Sequence, residues 1–104
     1  MDDVKDLEAR VVDALKTVYD PEIPVDIWEL GLIYGIEITP ERDVTVRMTL
    51  TSPNCPAVGT LPYDVQVKVA NVPGVTRANV DLVWDPPWNQ SMMTEAAKLQ
   101  LGLM

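Results

Sequence analysis

Two runs of alternating apolar and polar residues, joined by a short polar segment, constrain the fold of this chain most. In residues 32–38, the apolar side chains that share one face are Tyr34, Ile36 and Ile38. In residues 44–50, the apolar side chains on one face are Val44, Val46, Met48 and Leu50. The connecting residues 39–43, Thr-Pro-Glu-Arg-Asp, are typical of a turn. The pattern therefore predicts an antiparallel β-hairpin.

A helix is predicted before the hairpin, over about Asp3 to Tyr19. Its apolar side chains follow helical spacing: Val4, Leu7, Val11, Ala14, Leu15 and Val18. Asp20-Pro21 is expected to end it, because the residue before a proline is displaced from the α region. A rigid loop, residues 20–24, and a short turn, residues 26–31, then lead into the hairpin.

The segment after the hairpin fits two interpretations. Helical spacing is followed by Val58, Leu61, Val65, Val69 and Val72, whereas strand alternation is followed by Val65, Val67 and Val69. We predict a helix, because Pro56 suits a first helical position and a crossover to a further strand needs a connecting element of this length. Pro62 should kink this helix or delay its regular part until about Thr60.

The last third of the chain predicts a strand and a short helix. In residues 75–84, the side chains expected on one face are Ala78, Val80, Leu82 and Trp84. Asp85-Pro86-Pro87 ends this strand, and residues 94–101 form a helix capped by Thr94 and closed by Gly102. A right-handed crossover should place the third strand beside the hairpin. We predict one domain over all 104 residues, of the α/β class in a two-layer α+β arrangement.

Charge and hydropathy exclude several classes of partner. The net charge of −8 disfavours binding to nucleic-acid phosphates and to anionic membranes. No stretch approaches the roughly 18 apolar residues of a membrane span. The acidic start of the chain lacks the apolar core of a signal peptide. With one cysteine, no internal disulfide can form, and we expect a cytoplasmic protein.

The single cysteine, Cys55, and the absence of histidine limit the chemistry. Neither a Ser-His nor a Cys-His catalytic pair can form, and metal sites built on imidazole are excluded. One thiol cannot supply the four thiolates that an iron–sulfur cluster usually takes. Any metal at Cys55 is therefore shared with another molecule. At the start of a helix, Cys55 would be a moderately activated thiol, whereas its structural alternative is a small apolar residue in a junction.

Other candidate residues each have a functional and a structural interpretation. Asp20 and Glu22 could bind a hard cation or act on a nearby thiol, or they could simply end a helix and form a solvated turn. Thr49 and Thr51 could bind a ligand or loop amides, or they could be ordinary strand residues. Trp88, presented by two prolines, could bind a partner or close one end of the core.

Taken together, the motifs resemble the SufT/PaaD-like family of metal–sulfur cluster biosynthesis. The resemblance rests on residues 20–22, Asp-Pro-Glu; Asp26; 30–34, Leu-Gly-Leu-Ile-Tyr; 48–56, Met-Thr-Leu-Thr-Ser-Pro-Asn-Cys-Pro; 72–75, Val-Pro-Gly-Val; 85–88, Asp-Pro-Pro-Trp; and the tail 93–102. The chain lacks the P-loop of larger cluster carriers and the extra C-terminal cysteines of PaaD proteins, which favours a stand-alone SufT-like factor. Pro62 departs from the family pattern.

The resemblance implies a small α/β domain with a three-stranded mixed sheet and a role in iron–sulfur protein maturation. It implies that Cys55 is the reactive cysteine, surrounded by Asp20, Glu22, Thr49 and Thr51. We therefore hypothesise an accessory factor, not an enzyme, in which Cys55 is a transient, shared ligand of iron or a cluster that is not stably bound. Its partners would be the iron–sulfur assembly machinery and client proteins. A homodimer would bring two Cys55 thiolates together. The alternatives are a thiol enzyme with Cys55 as nucleophile and a pure interaction module.

Overall fold

The predicted hairpin forms two strands of a three-stranded mixed sheet. The computed structural model describes residues 3–20, 23–51 and 59–102. The elements, in chain order, are α1 (Asp3–Leu15), β1 (Ile33–Ile38), β2 (Asp43–Met48), α2 (Leu61–Ala70), β3 (Arg77–Leu82) and α3 (Glu95–Gln100). The strand order is β1-β2-β3, with β1 antiparallel and β3 parallel to β2. The predicted fold class and element order are confirmed.

Strand register gives the sheet one apolar and one polar face. On the apolar face the β2–β3 pairs are Val44–Ala78, Val46–Val80 and Met48–Leu82. The α1 helix packs against α2 and β1, and α2 packs against β3. The fully buried side chains with the largest volumes are Leu7, Leu15, Ile27, Leu30, Leu32, Met48, Leu50, Leu61, Val11, Val25, Val44 and Val46. The core is therefore aliphatic, as expected for a chain that lacks phenylalanine.

The α2 helix resolves the ambiguity between helix and strand. Leu61, Val65 and Val69 are buried, whereas Val67 is exposed, which is the distribution that helical spacing produces. Pro62 is the second helical residue, where a backbone donor has no intrahelical acceptor, so its missing N–H costs little. The helix follows Thr60 directly, as the delayed start predicted. Pro56 lies outside the described residues.

The α1 helix ends at Leu15, four residues before the predicted end. The reason is a competing tertiary contact. The carbonyl of Val18 accepts a hydrogen bond from Ile27 N at 2.9 Å, and Tyr19 forms an isolated antiparallel bridge with Asp26. These contacts require extended backbone, so the chain leaves the helix before it reaches Asp20-Pro21.

The β3 strand ends at Leu82, two residues before the predicted end, so Trp84 lies beyond the strand and its side chain is 41% exposed. The last bond between β2 and the β3 segment runs from Val83 N to Met48 O, at 2.8 Å. Since β2 also ends at Met48, β2 has no residue that could pair with Trp84.

The predicted C-terminal helix is present, and a tight contact precedes it. Thr94 Oγ1 accepts a hydrogen bond from Ala97 N at 3.2 Å, and Gly102 follows the helix with φ of 73°. Before α3, a 3₁₀ turn (Gln90–Met92) brings the Met92 carbonyl against Gly31. A Cβ on Gly31, whose φ is 79°, would lie 2.2 Å from Met92 O. Only glycine fits here.

We predict that Gly31→Ala destabilises the protein by about 1–3 kcal/mol or more, because the residue adopts a positive φ and its Cβ meets backbone. Gly102→Ala is the matched control: it has the same sign of φ, but no atom lies within 4 Å of the added Cβ. Urea unfolding should therefore show a clearly smaller loss for Gly102→Ala. Equal losses would mean that the Met92 contact does not constrain the fold.

Candidate functional site

Several candidate residues lie close to one end of the sheet, in the direction along the strands. At this end β1 begins, and β2 and β3 end, with Ile33 and Leu82 both paired to Met48. We call this end of the strands the site edge, defined by Ile33, Met48 and Leu82. Thr49 and Thr51 follow β2 directly, so both leave the sheet here.

Backbone hydrogen bonds connect the Asp20 loop to the site edge. Thr49 N donates to Leu32 O at 2.9 Å, and Leu32 N donates to Ile27 O at 3.1 Å. Ile27 N in turn donates to Val18 O at 2.9 Å, two residues before Asp20. The structure therefore brings Asp20 and Thr49 to the same end of the sheet.

The Asp20 carboxylate is held in a closed loop. Asp20 is 4% exposed, and its Oδ1 accepts a hydrogen bond from Ile23 N at 3.0 Å. Its backbone N donates to Val25 O at 3.4 Å. The arrangement fixes the Asp20 carboxyl group beside the site edge.

The Thr49 hydroxyl is buried in an unusual way. Thr49 is 0% exposed, and within residues 3–20, 23–51 and 59–102 its Oγ1 has no hydrogen-bond partner. A buried hydroxyl without a partner costs roughly 1–3 kcal/mol. Thr51 is half-buried. The structural interpretation of Thr49 as an ordinary strand residue does not account for this cost.

Cys55 and Glu22 lie outside the described residues, so their place in the site stays a prediction. In the described parts of the chain, no three acidic or thiol side chains are close enough to hold a metal ion. Among the same residues, no helix is both long and apolar enough to cross a membrane.

Trp88 is held by the loop before β1. Its ring is half-buried against the core, and its Nε1 donates a hydrogen bond to Leu30 O at 2.7 Å. The more exposed tryptophan is Trp84. These contacts agree with the packing interpretation of Trp88; a role in partner binding stays a prediction.

The chain after β3 crosses back over the loop before β1, and we call residues 84–102 the C-terminal strap. Thr94 N donates to Glu29 O at 3.0 Å, and Gln100 Nε2 donates to Pro24 O at 3.1 Å. Tyr34 Oη also donates to the strap, to Pro86 O at 2.7 Å. Desolvation by burial, and secondarily the negative charge of Asp85, raise the pKa of Tyr34, so its hydroxyl remains a donor at neutral pH.

Asp26 has a structural role that reasoning from the sequence did not assign. Its Oδ1 accepts hydrogen bonds from Trp28 N at 3.1 Å and Glu29 N at 3.0 Å, which starts the turn before Gly31. An aspartate that begins a short turn is the signal that could have identified it.

A groove beside the Asp20 loop was also not predicted. It has a volume of about 370 Å³ and is lined by residues from the end of the α1 segment and from α2, including Tyr19, Tyr63 and Val67. Tyr19 is 58% and Tyr63 66% exposed. The two tyrosines are 44 positions apart, so no local pattern could have placed them on one groove.

We predict that Thr49→Val stabilises the protein by about 1–3 kcal/mol, because valine keeps the shape and removes a hydroxyl without a partner among the described residues. The control is Thr45→Val, on the polar face of β2, where a change within about 0.5 kcal/mol is expected. Thermal and urea unfolding would measure both. A larger stability loss for Thr49→Val than for Thr45→Val would show that the Thr49 hydroxyl has a favourable structural bond.

Comparison with known proteins agrees with this architecture. Residues 8–82 match the family model described as "Iron-sulfur cluster assembly protein". A Porphyromonas gingivalis protein named Fe-S protein maturation auxiliary factor is 50% identical over 97 residues, which cover 93% of this chain and 92% of that protein. The SufT auxiliary factor of Staphylococcus aureus is 41% identical over 86 residues, covering 83% of this chain and 98% of the relative.

A solved structure shows the same fold. The crystal structure of a domain of unknown function, DUF59, from Bacillus anthracis superposes with a TM-score of 0.89 at 37% sequence identity. The match covers 96% of this chain and 95% of that one. The family resemblance predicted from the motifs is thus confirmed, and this chain belongs to the iron–sulfur cluster assembly protein family.

Proposed function

We propose that this protein is an accessory factor in iron–sulfur cluster assembly that uses Cys55 as a transient ligand for iron or a cluster during delivery to client proteins. The cluster is cargo in this proposal and not a resident cofactor. The observation that carries it is the combination of family membership with a single thiol. Its partners are the iron–sulfur assembly machinery and apo-client proteins, and its place of action is the reducing cytoplasm.

The number of thiols suits transfer better than storage. A thiolate is a strong ligand for iron–sulfur centres, and a cluster usually takes four of them. With one cysteine and no histidine, this chain leaves most ligand positions to a second molecule. Even a symmetric dimer would supply two Cys55 thiolates. Few protein ligands make the bound cargo labile, which favours its release to a client.

The polar residues near the site edge are proposed to surround this cargo. The fixed carboxyl group of Asp20 and the buried hydroxyl of Thr49 support this role, because neither side chain is needed for strand pairing. Glu22 and Thr51 join the cluster in the proposal. The same residues would hold a partner's donor groups while cargo is exchanged.

A non-enzymatic role is favoured over a thiol enzyme. The relatives reported above carry names of auxiliary factors, and none is named as an enzyme. A nucleophilic Cys55 would need a base, and without histidine the nearest candidates are Asp20 and Glu22. A carboxylate is a weak base for a thiol, since its ordinary pKa lies about four units lower.

A pure interaction module is the second candidate, and the groove with Tyr19 and Tyr63 favours it. Exposed tyrosines are enriched at binding surfaces, where they provide large contact areas. In this alternative the protein brings client and machinery together, and Cys55 is dispensable. The two candidates therefore differ in what they require of one sulfur atom.

The decisive substitution is Cys55→Ser, which changes one atom. We predict an unfolding midpoint close to that of the wild type, because the substitution nearly conserves side-chain volume and leaves the neighbouring Pro53 and Pro56 unchanged. Client activity should fall to that of cells lacking the protein, because a hydroxyl is a poor ligand for soft metal sites. The measurement is the activity of an iron–sulfur enzyme in complemented deletion cells.

Two controls give this experiment its meaning. Thr45→Val, on the polar sheet face, should restore client activity fully. Anaerobic reconstitution with iron and sulfide should load wild-type protein and leave Cys55→Ser empty. Full client activity with Cys55→Ser would refute the ligand role and leave the interaction module as the better proposal.

A further inference from the structure

We propose that the C-terminal strap positions the Asp20 loop at the site edge, and that Trp88 is its main positioning residue. The inference rests on the proposed function, in which Asp20 and Cys55 belong to one site. It assigns to the Asp-Pro-Pro-Trp segment a role in site geometry.

Within the described residues, the strap bonds mainly to one short segment, residues 24–31. Trp88 Nε1 reaches Leu30 O at 2.7 Å, and Thr94 N reaches Glu29 O at 3.0 Å. The Thr94 hydroxyl also donates to the Glu29 carboxylate. Gln100 Nε2 reaches Pro24 O at 3.1 Å. Three of these four acceptors are backbone carbonyls, so the bonds fix the path of the main chain itself.

Residues 23–27, which overlap this segment, also form hydrogen bonds with Asp20 and with Val18. Ile27 N bonds to Val18 O, and Val25 O accepts from Asp20 N. Asp20 Oδ1 accepts from Ile23 N. Residues 23–31 thus lie between the strap and Asp20 and contact both. Backbone bonds therefore connect the position of Leu30 to that of Asp20.

The close contact at Gly31 adds a second constraint. The Met92 carbonyl lies where a Cβ would be, so the strap approaches this segment as closely as a backbone can. The strap contributes Met93 and Ala97 to the buried core, whereas the largest fully buried side chains all come from residues before 84. Loosening the strap should therefore release the Asp20 loop while the sheet and helices remain folded.

Trp88→Phe tests this directly, because phenylalanine keeps an aromatic ring and removes the indole N–H. Trp84→Phe is the matched control, since it is the same substitution at an exposed position of the strap. Hydrogen exchange of the Ile27 and Leu32 amides should accelerate about 5- to 10-fold in Trp88→Phe, as expected for the loss of one hydrogen bond. The Val46 amide of β2 should keep its wild-type rate, and Trp84→Phe should change none of the three.

A second variant guards against a general loss of stability. Gln100→Met removes the bond to Pro24 O from an exposed side chain. It should accelerate exchange at Val25 more than at Val46. Equal acceleration at all these amides in both variants would show a structural role alone and would overturn the inference.

The functional arm uses the single thiol as a reporter. Cys55 is alkylated with iodoacetamide at one pH, well below the unfolding midpoint of every variant. Asp20→Asn should change the alkylation rate in the wild-type background, because the proposed shared site places the Asp20 side chain beside Cys55. In Trp88→Phe the same Asp20→Asn change should have a clearly smaller effect, since the loop no longer holds the Asp20 side chain in place. Trp84→Phe should leave the effect of Asp20→Asn at its wild-type size.

The outcomes separate the two proposals. An equal effect of Asp20→Asn with and without Trp88→Phe would overturn the positioning role and leave the shared site standing. No effect of Asp20→Asn on Cys55 in any background would remove the shared site, and the positioning inference with it.

Discussion

The geometry of the site edge depends on three backbone hydrogen bonds, which connect Thr49 to Leu32, Leu32 to Ile27, and Ile27 to Val18. These bonds extend the pairing of the sheet beyond β1 and β2 into two loops. Thr49, Leu32 and Ile27 are buried, so water cannot easily replace the bonds. The result is that Asp20 lies at the end of the sheet where β2 ends.

Opposing contacts give this arrangement its rigidity. The sheet holds the loop before β1 on one side, and the C-terminal strap holds it on the other through Trp88, Thr94 and Gln100. The core contains no phenylalanine and is built from aliphatic side chains. In such a molecule, a tryptophan contributes a directed hydrogen bond as well as packing. The proposed delivery of a labile cargo would need a site that is preorganised, since the bound group adds few bonds of its own.

The predictions that succeeded depend on local periodicity, and those that failed depend on distant partners. The hairpin, α2 and α3 follow from spacing, turn residues and a capping threonine, all of which act within a few residues. The end of α1 and the end of β3 were misplaced. The α1 helix ends early because Val18 bonds to Ile27, and β3 ends before Trp84 because β2 ends at Met48. The residues around Val18 and Trp84 reveal neither the bond to Ile27 nor the end of β2.

The same division applies to the site. The sequence by itself determined the available chemistry: one thiol, no imidazole, a strongly acidic chain and a set of motifs that identify the family. It also suggested Asp20 and Thr49, but each with an equally ordinary structural explanation. Only the tertiary structure decided that both lie at one edge of the sheet, that the Thr49 hydroxyl is buried without a described partner, and that Trp88 bonds to Leu30. The physical reason is that strand register and loop closure join residues far apart in the sequence, such as Thr49 with Leu32 and Trp88 with Leu30, and such contacts leave no periodic trace in the sequence.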